Sequence, residues 1–544
     1  MISAILIARR RDLQIGLGIV LLYVGTRLVL LWRFPPHVDE SLFASWTLRG
    51  FENADARFVT LTSGQQPLLE WIGMGFMRLG VEPLTAVRLV SFFAGFGTLG
   101  FVWYLGRRLG GGSVGLAAAG LFAILPFFLV YSVVGLYDPL ATFFVAAALV
   151  LQLHLAERPR LGTALLLGIA LGAGLLTKLT TEIAYALIPL GALFFDWRGP
   201  RLTRRLATWG GGLAVALVVS WAMYQVLKLS EFYDDLGKAR DVLLARHSVG
   251  AFLDHPWHWI SANGSSYASA FSGYLTLPVI AVLAVGVVVV VKGRSRVGYF
   301  LVGWAVVPAA AAVALADVPY VRWLDVGMPP IAILGAYGGL AVFAALRRRI
   351  HAPARRAVVL AVLSVLLVLP AAAWDAQTIA QPTTRSYPGH DDLDYVREYS
   401  AGGPWLDLVP ELRRLAGGKP LQVAYAGQGV DYVRLGLRSD TNVSLVDSSV
   451  DPAPGALYGF ENGKPLPSTG DALGWRQVRV YARSRHGVPV TLYVRGAIVD
   501  SRFAATPTEL RALIGGTDSD YDRFGRLHPA VKEWAQAWYS AHPS

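Results

Sequence analysis

Five charged residues sit at the ends of long apolar runs. Asp39 and Glu40 are adjacent in "RFPPHVDESLFASW", Asp138 lies in "YSVVGLYDPLATFF", Lys178 in "GLLTKLTTEI" and Arg322 in "DVPYVRWLDVGMPP". Charges near bilayer depth are costly, so they pair, reach the interface or serve a function. Carboxylates that face cations at one membrane level could deprotonate a hydroxyl acceptor and hold a departing phosphate. Each position also has a plainer reading. Asp39 and Glu40 could be a solvated loop pair. Asp138, followed by Pro139, suits a helix first turn and its dipole. Lys178 could snorkel to the interface. Arg322 could pair with Asp317 or Asp325.

The elements that would position these residues are membrane helices. Of 544 residues, 54% are hydrophobic and 16% charged, and the mean hydropathy is +0.46. That balance points to a polytopic membrane protein. About eleven spans are expected, near 13–33, 84–106, 114–132, 138–156, 161–177, 182–196, 205–228, 273–291, 297–315, 325–346 and 357–374. The net charge of +12 does not come from the tail. From Asp375 onward, 18 Lys and Arg stand against 19 Asp and Glu. The surplus lies in short basic loops: Arg9–Arg11, Arg107–Arg108, Arg158–Arg160, Arg198–Arg205, Lys292–Arg296 and Arg347–Arg356. Placing the first in the cytoplasm places them all there, and the odd number of spans sends the C-terminus outside. No basic patch with interleaved aromatics supports nucleic-acid binding. The first apolar run is longer than a secretory core and no small-residue cleavage site follows it. It reads as an uncleaved signal anchor.

Three external regions follow from this topology. Residues 34–83 carry Asp39, Glu40, Glu52, Asp55 and Glu70. Residues 229–272 are rich in Trp, Tyr and His, as a membrane-interface segment would be. The third is the tail, where Pro, Gly, Asp and Ser rise and long apolar runs end. There "PWLDLVPELRRLAGGKPLQVAYAG" predicts a helix closed by Gly and then a buried strand, and "WRQVRVYARSRHGVPVTLYVRGAIV" predicts two strands around a turn. The expected domains are 1–374, catalytic and membrane-embedded, and 375–544, a small extracytoplasmic α/β domain. Without cysteine, disulfides and thiolate chemistry are excluded. His247, His255 and His258 lack strict ligand spacing, and "AGQGVD" is not a nucleotide-binding fingerprint.

The ordered motifs over about residues 10–346 resemble the GT-C membrane glycosyltransferases, in particular the protein O-mannosyltransferase and lipid A aminoarabinose transferase group and its generic bacterial relatives. "VDESLFASW" is similar to the acidic pair after the first helix, and "GQQPLLEWIGMGFMRLG" to a "KPPLLYWL"-type segment. "PLTAVRLVSFFAGFGTLG" resembles the opening of the second helix. "GLYDPLATFFVAAAL" carries the second acidic position. "GLLTKLT" matches an "LTKG"-type lysine, and "YVRWLDVGMPPIAILGAY" resembles "RYLLPLYPPLALL".

The resemblance implies a transferase in a bacterial plasma or inner membrane that uses a polyprenyl-phosphate-linked sugar. Its acceptor would be extracytoplasmic: a protein, a lipid or a cell-wall glycan. Membrane lipids would surround the donor site. Asp39 would be the base or acceptor-orienting carboxylate, with Glu40 beside it and Asp138 completing the acidic site. Lys178 and Arg322 would neutralise the carrier phosphate, and Arg88 would support them. The chain departs from the pattern at Gln65, where the segment has Lys, and at Leu42, where the aminoarabinose transferases have Arg. Arg246 or His247 could substitute. No cofactor is required, although a divalent cation stays open. The competing expectations are a transporter or flippase of lipid-linked glycans, against which no internal repeat is found, and a non-catalytic membrane scaffold.

Overall fold

The computed structural model describes residues 2–236, 248–418, 420–448, 456, 458–466 and 475–495. The chain divides into two units. One comprises Met1–Phe34, Trp46–Pro382 and Pro388–His390; the other comprises Pro35–Ser45, Thr383–Tyr387 and Asp391–Ser544.

The first unit is built of helices. In chain order these are α1 (Ile2–Arg33), α2 (Val38–Glu52, whose first residues count with the other unit), α3 (Leu68–Met77), α4 (Pro83–Gly110), α5 (Gly112–Ile124), α6 (Pro126–Tyr131), α7 (Tyr137–Glu157), α8 (Leu161–Thr177), α9 (Ile183–Ala186), α10 (Leu202–Tyr224), α11 (Val249–Asp254), α12 (Pro256–Leu275), α13 (Leu277–Lys292), α14 (Arg296–Leu315), α15 (Pro329–Arg349) and α16 (Pro353–Ala380). Among the described residues, seven helical segments are long and apolar enough to cross a membrane. α12 and α13, bent by 105° at Thr276, could supply an eighth span. These helices make the chain an integral membrane protein.

All eleven expected positions are helical, but four are not single long spans. The run at 114–132 breaks at Leu125, whose extended ψ of 128° is the conformation favoured before Pro126. α8 has 17 residues. The run at 182–196 is a four-residue helix flanked by the tighter turns Leu179–Glu182 and Ile188–Leu193. The run at 273–291 contains the bend at Thr276. Hydropathy sees apolar length, whereas Pro126, Pro189 and the backbone at Thr276 decide continuity.

Burial separates the inner helix from the outer ones. In α7, 78% of the apolar window is buried within the protein, against 6% in α16. A helix that is apolar all round belongs at the centre of a bundle or against lipid; α7 takes the first place and α16 the second. Close helix approach depends on small residues. A Cβ added to Gly286 of α13 or Gly338 of α15 would meet backbone of the other helix, the small-residue contact typical of membrane helix pairs.

The second unit holds α17 (Trp405–Ala416) and α18 (Val430–Gly436) beside five strands. These are β1 (Leu421–Gly427), β2 (Val443–Asp447), β3 (Tyr458–Asn462), β4 (Trp475–Tyr481) and β5 (Val490–Arg495), in the order β2-β1-β3-β5-β4. β1 is parallel to both β2 and β3, while β3–β5 and β5–β4 are antiparallel. The expected elements are present. α17 closes on Gly417 in the left-handed region (φ 54°), β1 is buried, and β4 and β5 pair around the "RHGVP" turn. Trp405, Leu408, Leu412 and Leu415 of α17 pack on Val423, Tyr458, Phe460 and Leu492.

Candidate active site

α7 begins after Leu136, whose carbonyl accepts a bond from Ser91 Oγ of α4 at 3.2 Å. Asp138 therefore enters in the first helical turn, 5% exposed. α8 ends at Thr177. Lys178 leaves it in an extended conformation (φ −161°, ψ 139°) while its N–H still bonds Gly174 O at 3.0 Å. The hydroxyl of Thr181 donates to Lys178 O at 2.7 Å and fixes the turn. This break directs the lysine toward the start of α7, and its Nζ donates to Asp138 Oδ1 at 2.7 Å. The side chains are 17% and 7% exposed, so the pair is largely shielded from solvent. Lys178 thus meets a carboxylate rather than only reaching an interface. Asp138 makes no side-chain cap: Leu136 holds the capping position without a side-chain bond.

A third charged group belongs here. Asp325 lies on the tight turn Val321–Gly327 ahead of α15 and is 4% exposed. Trp304 Nε1 holds that turn by donating to Val326 O at 2.7 Å. Burial, and then the charge of Asp138, push the Asp325 carboxyl up to about 8, with Lys178 acting the other way. Asp325 therefore lies within the field of both members of the Lys178–Asp138 pair, and its burial disfavours the charged form. An ammonium has three donors, so Lys178 can bond Asp138 and an arriving anion together. Sequence reasoning weighed Asp325 only as a partner for Arg322. The signal it offered was a lone acid in the apolar stretch before Pro329–Pro330.

Glu70, in the first turn of α3, is 1% exposed and accepts a bond from the Tyr137 hydroxyl through Oε1. Burial pushes its carboxyl up to about 8 against the lowering effect of Tyr137. Because Tyr137 precedes Asp138, Glu70 is tied to the residue next to the ion pair. Arg88, 3% exposed, donates from Nη1 to Leu31 O at 2.6 Å and so satisfies a carbonyl in the last turn of α1. Arg322 is half-buried with its guanidinium 4.7 Å from the Tyr320 ring centre, and that ring stands edge-on to His390.

Asp39 and Glu40 count with the second unit. His37 Nδ1 accepts from Asp39 N at 3.2 Å, and Glu40 Oε2 accepts from His37 N at 3.2 Å. This is a reciprocal cap at the start of α2, with histidine in the place usually held by Ser or Thr. Glu40 is wholly buried, and Asp39 is half-buried. His37 pairs with Ala401 in a short β-bridge and its ring lies against Tyr395, within the same unit. Gln65 is half-buried, its N–H bonded to Thr60 O at 3.1 Å. Arg246 and His247 lie outside the described residues. Among the described residues, no group of three or more His, Asp or Glu side chains could hold a metal ion.

Comparison with known proteins follows the same lines. The family model for dolichyl-phosphate-mannose-protein mannosyltransferase matches residues 64–224, which include both Asp138 and Lys178. The fold is similar to that of ArnT from Cupriavidus metallidurans bound to undecaprenyl phosphate, at 16% identity and a TM-score of 0.50, covering 88% of this chain and 97% of that one. The archaeal oligosaccharyltransferase AglB from Archaeoglobus fulgidus, in complex with an inhibitory peptide and a dolichol-phosphate, aligns at 14% identity with a TM-score of 0.49, over 84% of this chain and 69% of that one. No curated protein sequence matches the chain. The family match and the ArnT-like fold bear out the resemblance to the GT-C glycosyltransferases.

Proposed function

We propose that this GT-C glycosyltransferase moves a sugar from a polyprenyl-phosphate carrier to a hydroxyl-bearing acceptor outside the cytoplasm. The observation that carries the reading is the shielded Lys178–Asp138 pair, formed by two helix ends 40 residues apart within the region matched to the mannosyltransferase family. The ArnT protein of similar fold has undecaprenyl phosphate bound.

In this reaction the acceptor oxygen attacks the anomeric carbon and the bond from that carbon to the phosphate oxygen breaks. The electron pair leaves with the carrier phosphate. Asp39 takes the acceptor proton, positioned by the cap that Glu40 and His37 make. Lys178 and Arg322 meet the charge that develops on the leaving phosphate, and Asp138 holds Lys178 in place. Arg88 supports the site by fixing the end of α1 against α4. Gln65 supplies a neutral donor where the related segment has a lysine, and Arg246 and His247 belong to the same proposed supporting set. Residues 1–374 form the catalytic part and 375–544 the extracytoplasmic domain. The N-terminus lies in the cytoplasm, in a bacterial inner membrane.

The test is release of undecaprenyl phosphate from a panel of its sugar esters by the purified chain in nanodiscs. Turnover is expected with at least one ester, falling about a hundredfold or more in Asp39→Asn. Undiminished turnover in that variant would remove Asp39 as the base. Failure with every ester would contradict the donor assignment.

A further inference from the structure

Three buried polar atoms in one short stretch have no hydrogen-bond partner among the described residues: Thr60 Oγ1, Gln66 Nε2 and Glu70 Oε2. All three residues are 1% exposed. Buried polar atoms in native proteins are nearly always satisfied, and an orphan calls for a ligand, an ion or ordered water. Three orphans within eleven residues are a concentration rather than an accident of one rotamer.

Local structure gathers them. Residues Ala54–Ser63 form a tight helix that ends on Gly64 in the left-handed region (φ 72°), and Gln65 N bonds back to Thr60 O at 3.1 Å. That closure brings Thr60 beside Gln65–Gln66. Pro67 caps the start of α3, so Gln66 lies just ahead of the helix and Glu70 in its first turn. Glu70 uses its other oxygen for Tyr137, the neighbour of Asp138. The orphan set is therefore bonded to the residue that precedes Asp138 in the chain.

We infer that Thr60, Gln66 and Glu70 form the subsite that reads the hydroxyl groups of the donor sugar, an assignment that rests on the carrier-sugar reading above. The chemistry selects this ligand class. A hydroxyl, an amide N–H and a carboxyl can each donate to or accept from sugar hydroxyls. A phosphate would meet a carboxyl and no cation among the three. A polyprenyl tail would leave every one of them unsatisfied. A site built to hydrogen-bond a hydroxyl discriminates strongly against a ligand that lacks it, because its own buried groups then stay unpaired.

The test is equilibrium binding to the full chain in nanodiscs, with undecaprenyl phosphate and its mannosyl, glucosyl and arabinosyl esters as probes. At least one ester is expected to bind about tenfold or more tightly than the bare carrier phosphate. Thr60→Val, Gln66→Leu and Glu70→Leu should each erase about tenfold of that preference while affinity for bare undecaprenyl phosphate stays unchanged. Thr60→Val is nearly isosteric and keeps the test open if Glu70→Leu does not fold. The inference is overturned by variants that keep the wild-type preference, or that lose the bare carrier and the esters equally. A wild-type chain that binds the bare carrier without preferring any ester overturns the subsite alone. One that binds neither overturns the donor reading as well.

Discussion

Asp138 and Glu40 make an instructive pair. Both are acids in the first turn of a helix, and both are buried. Glu40 turns back to the N–H of His37 and serves the start of its own helix. Asp138 makes no cap and reaches instead to Lys178, 40 residues on, at the end of a different helix. An acid in a first helical turn therefore does local work in one region and assembles a charged centre in the other. What separates them is the neighbour. A histidine before α2 creates a reciprocal cap, whereas Leu136 before α7 offers no side chain to cap with.

This contrast can be tested by removing each acid. Asp138→Ala should have the largest effect. It strands a mostly buried lysine, so turnover should fall about a hundredfold or more and stability by about 3 kcal/mol. The double variant Asp138→Ala/Lys178→Met should recover much of the stability and none of the activity, read from melting in nanodiscs beside carrier-phosphate release. Recovery of neither would mean that the pair is not the unit described here.

Glu40 should behave differently. Glu40→Gln keeps the reciprocal cap, because Gln also serves at that position, and should hold turnover within about threefold. Glu40→Ala should cost about 1 kcal/mol of stability. A Glu40→Gln variant that melts normally but has lost turnover would move Glu40 from the helix start into the chemistry.

A pH-dependent effect concerns Asp325 and sharpens the account of the charged centre. An unfolded Asp titrates near 3.9, whereas folded Asp325 holds its proton up to about 8. The folded state thus binds the extra proton. Its contribution is complete below about pH 4 and is lost as pH rises toward 8. Melting temperature should accordingly decline less between pH 5 and pH 8 in Asp325→Asn than in the wild type. Equal slopes would show that Asp325 does not carry a raised pKa.

Much of this was legible in the sequence because membrane helices and positions next to them are written in composition. The apolar runs located α1, α4, α7, α10 and α14–α16, and the isolated charges at their ends marked Asp138 and Lys178. The tail was readable because Gly417 and the "RHGVP" turn carry distinct backbone requirements. Other features depend on tertiary placement. Hydropathy could not show that the run at 114–132 breaks before Pro126. No local pattern said that Asp325 would join Asp138 rather than stand as a loop acid beside Arg322. The same holds for Glu70. It read as one more acid of an external loop, yet it is buried and bonded to Tyr137.

The central claim is that the lysine at the end of α8 receives the carrier phosphate. It is tested most directly by measuring undecaprenyl phosphate release from undecaprenyl-phosphate sugars by the wild type and by Lys178→Met, compared at matched folded fraction. The account predicts release by the wild type and a fall of at least about a hundredfold in the variant. Equal release by both would contradict it.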